Sequence, residues 1–452
     1  MAANPLPSFL SGVIEGFYGR PWTQEQRRVL FERMAHWGLN TYCYSPKDDL
    51  KHRAQWRSNY DPAEMVELDR LVKLCRGEGL RFIYALGLGL DIRYGKDSDL
   101  KTLIDRFRQL IDIGVQDFAL LFDDLPDKIH EEDRNRFGSF AAGHAHVTNA
   151  VYDWVTEQVG SSCFLFCPTP YCGRMDNARL GGEGYLEEIG QLLHPEIRIF
   201  WTGPEIISKT ISEEHLTALS ARLQRPPLIW DNLHANDYDL RRLYLGPYSG
   251  RPQNPENHLA GILINPNCEF EANFIPVRTL SRYLDSSSRY HPRESYLEAL
   301  REWLPAFAGV GNKWSLDEVN FLGDLFYLPH ESGDLAEAYL NDAMFLISHP
   351  ANQWQDRAIS FRNRASQIEQ IFVQLTELQN RDLFYTFNRQ WWEMREETQL
   401  FLKFLEMAEH ADGPVEFDSL EHLPGTFRGG AVQKLQTLLT MSEQGTFKPK
   451  HV

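Results

Sequence analysis

The sequence has few basic residues for its size. It contains 46 lysines and arginines against 63 aspartates and glutamates in 452 residues, which gives a formal net charge of −17. Proteins that bind nucleic acid or anionic membrane surfaces use clusters of basic side chains to contact the phosphates. The charge balance therefore argues against both as partners. It leaves the substrate class open, because a cleft can be locally basic in an acidic protein.

Long apolar runs and paired cysteines are also absent. No window of about 18 residues is sufficiently apolar and uncharged to span a membrane. The N-terminal residues MAANPLPSFLSG lack a basic segment followed by an apolar one, as an export signal would have. The six cysteines form no CxxC pair, which is typical of buried free thiols in a reducing compartment. We therefore expect a soluble, cytoplasmic protein that is not exported.

Eight short apolar runs recur along the first part of the chain, and longer stretches with helix signals separate them. Nearly continuous apolar runs predict strands of a parallel sheet that is buried on both faces. Eight such units over roughly 280 residues predict an α/β fold of the TIM (β/α)8 barrel type. A doubly wound open sheet is less consistent, since no glycine-rich phosphate loop follows the first run. The runs are GVIEGFYG (12–19), LNTYCYSP (39–46), RFIYALG (81–87), DFALLFDD (117–124), CFLFCPT (163–169), IRIFWTG (197–203), PLIWDN (227–232) and AGILINP (260–266).

The alternation of short apolar runs with helical stretches stops near residue 290. Beyond it, apolar side chains recur at helical spacing, which predicts a helical bundle. We expect a barrel domain over residues 1–288, a helical bundle over 289–440 and a flexible tail over 441–452. An aromatic stripe in the bundle (Leu383, Phe387, Trp391 and Met394) is interpreted as core, with a partner surface or a wall of the substrate groove as the alternative.

Helix starts in both parts carry recognisable capping patterns. Thr23 with Gln26 has the spacing of a capping box, and so does Ser315 with Glu318. The segment 61–64 (DPAE) places a cap, a first-turn proline and an acid in the order that favours a helix start.

The segments that follow the predicted strands are rich in carboxylates, amides and aromatic residues. In a TIM barrel the active site lies at the carboxyl ends of the strands, so these residues indicate a neutral, hydroxyl-rich ligand. No GxSxG elbow is present. His144 and His146 form an HxH pair, but residues two apart on a helix face different directions. A nucleophile at Cys167 or Cys172 has no evident histidine partner. We therefore expect no metal and no cofactor.

The fourth predicted strand ends in two consecutive acids, Asp123 and Asp124. Most glycosidases hold two carboxylates about 5–5.5 Å or 6.5–9.5 Å apart on opposite sides of the scissile bond, which adjacent residues reach less naturally. Adjacent acids suit substrate assistance, in which a 2-acetamido oxygen attacks the anomeric carbon. One acid then orients the acetamido group and the other protonates the leaving oxygen. We also expect the two carboxyls to raise one another's pKa. A helix cap or a salt-bridged turn is the alternative.

Six motifs resemble those of glycoside hydrolase family 84, the O-GlcNAcase family. They occur in the family's order over residues 12–285, nearly the whole predicted barrel: GVIEGFYGRPW, YSPKDDLKHR, FALLFDDLP, FLFCPTPYCG, WDNLHANDYD and NPNCEFEAN. The resemblance implies a TIM barrel and the retaining, substrate-assisted hydrolysis of N-acetyl-β-D-glucosaminides without a metal. The chain starts almost at the first strand and ends at residue 452, so we expect neither a separate N-terminal domain nor the acetyltransferase-like domain of the long animal members.

The resemblance also implies roles around the reacting part of the sugar. By motif, Asp123 corresponds to the residue that orients the acetamido group and Asp124 to the general acid and base. Tyr171 and Asn232 are expected around the acetamido group, and Trp230 is expected to line the pocket for its methyl group.

Further residues are implied at the hydroxyl groups of the sugar. Asp237 and Asn265 are expected to hold hydroxyls at the far edge of the ring. Lys47 and the backbone carbonyl of Gly16 are expected on the side of the 3-hydroxyl, and glycine lets a ligand approach the backbone closely. Lys47 could instead pair only with the acids that follow it. Asp231 is interpreted as structural.

The main hypothesis is an exo-β-N-acetylglucosaminidase that removes terminal GlcNAc from a glycoprotein, a glycopeptide or an oligosaccharide, plausibly from serine or threonine. A hyaluronidase-like or cell-wall-directed glucosaminidase is the alternative within the enzyme class. A GlcNAc-binding protein on an inactive barrel is the alternative from another class. A homodimer through the helical region is a further expectation.

Overall fold

The computed structural model describes residues 9–88, 91–124, 129–285, 289–311, 313–411, 413–419, 422 and 430–450. The chain divides into two compact units. The first comprises Met1–Asp237, Ser249–Cys268 and Leu280–Tyr290, and the second comprises Tyr238–Tyr248, Glu269–Thr279 and His291–Val452. The chain thus enters the second unit twice before residue 291, whereas the sequence predicts a division at one point, residue 288.

The first unit contains a closed barrel of eight parallel strands in sequential order, β1 to β8. Each strand lies within one of the eight predicted runs or overlaps it, so the predicted barrel is confirmed. Most strands end before the run does, because the polar residues at the end of the run leave the ladder. The strands are β1 (Leu10–Glu15), β2 (Thr41–Tyr44), β3 (Arg81–Gly87), β4 (Asp117–Leu121), β5 (Phe164–Cys167), β6 (Arg198–Trp201), β7 (Leu228–Asp231) and β8 (Gly261–Ile264).

Helices follow the strands of the barrel, as the pattern between the apolar runs predicts. The predicted capping box at Thr23 with Gln26 is present, and the predicted helix start at residues 61–64 also forms one, between Asp61 and Glu64. Reciprocal hydrogen bonds at these positions satisfy backbone donors that the first turn leaves unpaired. The helices are α1 (Gln24–His36), α2 (Pro62–Gly77), α3 (Asp97–Asp112), α4 (Glu131–Phe137), α5 (Phe140–Val159), α6 (Gly173–Asn177), α7 (Tyr185–Leu192) and α8 (Glu213–Leu223).

The register of the barrel aligns the carboxyl ends of neighbouring strands. Gly87 pairs with Leu121, and Leu121 pairs in turn with Cys167. On the other side of the barrel, Asp231 pairs with Ile264. Residues that immediately follow β3, β4, β5, β7 and β8 therefore emerge at one end of the barrel. Buried side chains from all eight strands form one core cluster, and among them are Ile14, Ile83, Leu165 and Leu263.

The second unit is mainly helical, as predicted. The stripe at Leu383, Phe387, Trp391 and Met394 is fully buried, which confirms its interpretation as core. The capping box at Ser315 is also present. The chain passes between the two units within α9 (Phe274–Leu284). The remaining helices are α10 (Pro292–Trp303), α11 (Leu316–Leu325), α12 (Asp334–Ser348), α13 (Gln355–Thr376), α14 (Arg381–Glu409) and α15 (Gly430–Gln436).

The C-terminal segment is more ordered than the sequence predicts. Strands β9 (Phe417–Asp418), β10 (Leu439–Met441) and β11 (Thr446–Pro449) form an antiparallel sheet in the order β10-β11-β9. Phe447 is buried and packs against Phe417. The prediction of a flexible tail is therefore wrong over residues 441–450, because β11 pairs with β10 on one side and with β9 on the other. Residues 451–452 lie outside the described residues.

Two observations bear on the predicted environment of the chain. Within the described ranges, no helix combines the length and the apolar composition that crossing a membrane requires. All six cysteines are free thiols; five are buried and Cys268 is partly exposed. The prediction of unpaired cysteines is thus confirmed.

Candidate active site

Asp123 lies just beyond β4. Its carboxylate is buried, and one of its two oxygens accepts a hydrogen bond from a lysine. The Lys47 ammonium donates to its Oδ2 at 2.9 Å, and only 3% of the Lys47 side chain is exposed. The other oxygen, Oδ1, is buried and has no hydrogen-bond partner within the described part of the chain. A buried acceptor without a donor is costly, so this oxygen is suited to receive an N–H or O–H group from a ligand.

Two cations determine the charge state of Asp123. Burial by itself would raise the pKa of its carboxyl, but the Lys47 ammonium and then the Arg53 guanidinium outweigh burial and hold that pKa below its usual range. Burial likewise acts to lower the pKa of Lys47, and the attraction of Asp123 outweighs it and raises that pKa. The pair is therefore ionised near neutral pH. The expectation that adjacent acids raise one another's pKa is wrong for Asp123, because these two cations dominate.

Asp124 has a different environment from its neighbour. Its backbone has a φ of +52°, in the left-handed region, and 43% of its side chain is exposed. The left-handed conformation costs a residue with a Cβ roughly 1–2 kcal/mol. The hydroxyls of Tyr18 and Tyr171 donate to its two carboxylate oxygens at 3.2 and 3.3 Å. The turn thus leaves one acid buried beside a lysine and the other open to solvent, which suits two acids with different roles.

Arg53 contacts both acids, and the sequence analysis did not single it out. Its Nη2 donates to the backbone carbonyls of Asp123 at 2.7 Å and Asp124 at 3.1 Å. Its Nη1 donates to the hydroxyl of Tyr18 at 2.8 Å. Hydrogen bonds from a charged donor contribute about 1.5–3 kcal/mol each, enough to offset the cost of the turn. Arg53 lies in the motif YSPKDDLKHR, but it follows a short 3-10 helix, Leu50–His52, so a search of strand ends alone does not reach it.

The segment after β1 joins the site through Tyr18 and Gly16. The backbone N–H of Tyr18 donates to Asp237 Oδ2 at 2.8 Å. Gly16 lies against Trp230, and a Cβ built on Gly16 would come within 2.5 Å of the Trp230 ring. The Lys47 ammonium lies 5.6 Å from the centre of the same ring. Tyr18, like Arg53, was not among the predicted site residues, although it stands within the motif GFYG.

Asn232 and Asn265 form a pair at the ends of β7 and β8. Asn265 Nδ2 donates to Asn232 Oδ1 at 3.0 Å, and Asn232 Nδ2 donates to the carbonyl of Ile206 at 3.0 Å. Asn265 Oδ1 is buried and accepts no hydrogen bond from the described residues. This amide oxygen is a second acceptor that a ligand could satisfy.

Asp231 is engaged within the protein. Both of its oxygens accept hydrogen bonds from Arg251, at 2.6 and 2.7 Å, and both side chains are almost completely buried. This pair fixes the end of β7 and supports the structural interpretation of Asp231.

The two histidines of the HxH motif diverge as predicted. His144 is buried, and its ring nitrogens lie 2.7 Å from the hydroxyl of Tyr185 and 3.0 Å from that of Tyr94. Burial lowers the pKa of His144 to about 3, so its ring is neutral. His146 is exposed. Within the described ranges, the structure contains no group of three or more His, Cys, Asp or Glu residues that could hold a metal ion. The absence of a metal from the reaction stays a prediction.

The structure brings the predicted site residues into two groups at the end of the barrel. The first is connected by direct contacts and through Tyr18. The second is the asparagine pair, and Asn232 directly follows β7, the strand that carries Trp230. The part that each residue plays toward a substrate stays a prediction. The first group consists of Gly16, Lys47, Asp123, Asp124, Tyr171, Trp230 and Asp237.

Comparisons with known proteins agree with this geometry. Residues 11–310 match the family model for β-N-acetylglucosaminidase. The protein O-GlcNAcases of Mus musculus and Rattus norvegicus are each 44% identical to this chain over 286 residues. That match spans 63% of this chain but only 31% of each relative.

Solved structures give the same result for the fold. An O-GlcNAc hydrolase mutant of Thermobaculum terrenum superimposes with a TM-score of 0.75 at 28% identity, over 89% of this chain and 84% of that one. The solved protein CpGH84B gives a TM-score of 0.75 at 24% identity, over 89% of this chain and 69% of its own, which bears on the fold alone. The family model covers well over half of the sequence, and the paired acids follow β4 as the motifs indicated. The chain therefore belongs to the β-N-acetylglucosaminidase family, glycoside hydrolase family 84.

Proposed function

We propose that the protein is a retaining exo-β-N-acetylglucosaminidase that uses substrate assistance. The proposal rests on the burial and the hydrogen bonding of the Asp123 carboxylate. Its Oδ2 is held by Lys47, its Oδ1 is buried without a donor from the described residues, and the exposed Asp124 follows it directly. An acetamido N–H is a donor of the kind that Oδ1 lacks.

The reaction proceeds in two steps that these groups can serve. In the first, the acetamido oxygen of the substrate attacks the anomeric carbon, while Asp124 gives its proton to the departing glycosidic oxygen. The product is a protonated oxazoline, whose N–H donates a hydrogen bond to Asp123, and this carboxylate stabilises the positive charge on that nitrogen. In the second, Asp124 takes a proton from water, which attacks the anomeric carbon and opens the ring. Two inversions leave the configuration unchanged.

The remaining residues are proposed to bind the sugar. Trp230 would line the pocket of the acetamido methyl group, with Tyr171 and Asn232 around the rest of that group. The Oδ1 of Asn265, which has no hydrogen-bond partner among the described residues, would accept a hydrogen bond from a ring hydroxyl. Three further residues, Asp237, Lys47 and Gly16 through its carbonyl, would hold the other hydroxyls.

The proposed substrate is a single GlcNAc residue on a serine or threonine of a glycoprotein or glycopeptide. Support comes from the two mammalian relatives, which are protein O-GlcNAcases, although the match covers less than a third of their length. The free thiols fit a reducing compartment, and we propose the cytoplasm.

The proposal is tested with a chromogenic N-acetyl-β-D-glucosaminide, the matching unacetylated glucoside and a chitin oligosaccharide. Turnover of the acetamido sugar alone, with release of single GlcNAc, would support it. Release of oligosaccharides would favour the endo-acting, hyaluronidase-like alternative. Saturable binding of GlcNAc without turnover would favour a binding protein.

Self-association through the second unit also stays a proposal. Tyr385 and Trp392 on α14 are 64% and 50% exposed, which is unusual for aromatic side chains. Sedimentation analysis of the wild type and of the Tyr385→Ser, Trp392→Ser double variant tests it. A monomer at all concentrations would contradict it.

Gly16→Ala is expected to lower activity sharply. The added methyl group would approach the Trp230 ring within 2.5 Å and push it into the sugar site. Overpacking of this kind costs about 1–3 kcal/mol. We expect KM to rise, and steady-state kinetics with a melting curve measure both effects. Gly77→Ala is the control, since a Cβ there meets nothing within 4 Å and its backbone, like that of Gly16, has no positive φ. Equal KM values for Gly16→Ala and the wild type would contradict the proposed position of the sugar.

Lys47→Met is expected to move the acid limb of the pH profile to higher pH. Burial acts to raise the pKa of Asp123, and Lys47 is the main group that holds it down, so removal of the ammonium raises that pKa. Activity should therefore fall more at about pH 5 than at about pH 7. Lys51→Met is the matched control, because Lys51 pairs with Glu64 instead. An acid limb that does not move in Lys47→Met would contradict the electrostatic role.

A further inference from the structure

We propose that Arg53 is a positioning residue that holds Asp124 in the conformation from which it delivers its proton. This inference rests on the proposed function, in which Asp124 is the general acid. The residue acts through Asp124 and through Tyr18, and it is not assigned a bond to the substrate.

Arg53 binds the backbone of the turn that contains the two acids. Successive carbonyls of an extended strand point in opposite directions, so one donor cannot reach both. Nη2 of Arg53 donates to the carbonyls of Asp123 and Asp124 together, at 2.7 and 3.1 Å. The contact is possible because Asp124 has left the strand conformation with a φ of +52°. Arg53 therefore binds the turn itself and favours it over the extended alternative.

Arg53 also orients the carboxylate of Asp124 through Tyr18. Nη1 of Arg53 donates to the hydroxyl of Tyr18, which leaves the proton of that hydroxyl to donate to Asp124 Oδ2 at 3.2 Å. The same guanidinium nitrogen lies 3.8 Å from Asp124 Oδ2. One planar group thus fixes the backbone of the acid directly and its side chain through one tyrosine.

Arg53 is itself fixed by its buried neighbours. It directly follows the 3-10 helix Leu50–His52, whose last residue is fully buried, with Nε2 3.3 Å from the hydroxyl of Ser45 after β2. A Cβ built on Gly87, the last residue of β3, would lie 3.5 Å from Arg53 Cγ. The side chain therefore runs from a buried anchor across the end of β3 to the turn after β4.

The test compares Arg53→Lys with Tyr18→Phe on two substrates. One is a serine-linked GlcNAc glycopeptide, whose leaving group needs a proton, and the other is a 2,4-dinitrophenyl glycoside, whose leaving group does not. Lysine keeps the positive charge but cannot reach both carbonyls and Tyr18 with one planar group. Because a displacement of 1 Å can cost about 100-fold, we expect a loss on that order for the glycopeptide and a loss below about tenfold for the activated glycoside. Tyr18→Phe should also lose more activity on the glycopeptide than on the activated glycoside, but the difference should be smaller.

Arg57→Lys is the matched control. Arg57 lies four residues farther along, and it pairs with Asp91 and Asp99 instead of the two acids. It should show equal, small changes on both substrates. Equal losses on both substrates in Arg53→Lys, or in Tyr18→Phe if Arg53→Lys does not fold, would overturn the inference. A wild type that turns over neither substrate would instead overturn the proposed function, and the inference with it.

Discussion

Asp123→Asn is expected to lower kcat/KM for an N-acetyl-β-D-glucosaminide by about 10²–10³-fold, the loss typical when one preorganised group at a developing charge is removed. Asparagine keeps the shape of the side chain but carries no charge. It cannot stabilise the positive charge that develops on the acetamido nitrogen. It also leaves the buried Lys47 without its anionic partner. Steady-state kinetics on a chromogenic substrate measure the loss.

Asp117→Asn is a matched control for this experiment. Asp117 is a buried acid at the opposite end of the same strand, and it pairs with Arg81 and the backbone N–H of Cys163. The isosteric change there removes a buried charge from an ion pair without contact with the site. We expect a lower melting temperature and nearly unchanged kcat/KM. An Asp123→Asn enzyme as active as Asp117→Asn would contradict the role of Asp123.

Asp124→Asn is expected to lower kcat/KM far more for substrates with poor leaving groups than for substrates with activated ones. General acid catalysis contributes about 10²–10⁴-fold, and that contribution should vanish for a glycopeptide or an alkyl glycoside. A 2,4-dinitrophenyl glycoside leaves without a proton, so its first step should be almost unaffected. The slope of log kcat/KM against the pKa of the leaving group measures the difference.

Azide provides a second readout for Asp124→Asn. The second step needs a base to deprotonate water, whereas the azide anion attacks without one. Added azide should therefore restore turnover of the activated glycoside and give a β-glycosyl azide. Equal losses across leaving groups, with no response to azide, would contradict the assignment of Asp124 as acid and base.

The barrel could be predicted from the sequence because its signal is local. Each strand is buried on both faces, so a run such as RFIYALG is apolar along its whole length and coincides with β3, Arg81–Gly87. The tail could not be predicted in the same way. Strand β11 carries one large apolar side chain, Phe447; it pairs with the adjacent β10 and also with β9, whose Phe417 lies thirty residues earlier.

The site was predictable where its residues end strands or where the family resemblance implies a role for them. The acids after β4 and the asparagines after β7 and β8 are of this kind. Arg53 and Tyr18 were missed because their contacts with the acids join segments 71 and 106 residues apart. The lowered pKa of Asp123 was missed for the same reason, since it depends on Lys47, 76 residues away, and on Arg53.

The most direct test of substrate assistance is a series of chromogenic glucosaminides whose N-acetyl group carries zero to three fluorine atoms. Fluorine withdraws electrons from the acetamido oxygen and weakens it as a nucleophile, while the leaving group stays the same. We expect log kcat/KM to fall steadily with each fluorine, because this oxygen forms the bond to the anomeric carbon beside Asp123 and Asp124. Rates that do not depend on the number of fluorines would contradict it, since the nucleophile would then have to come from the protein or from water.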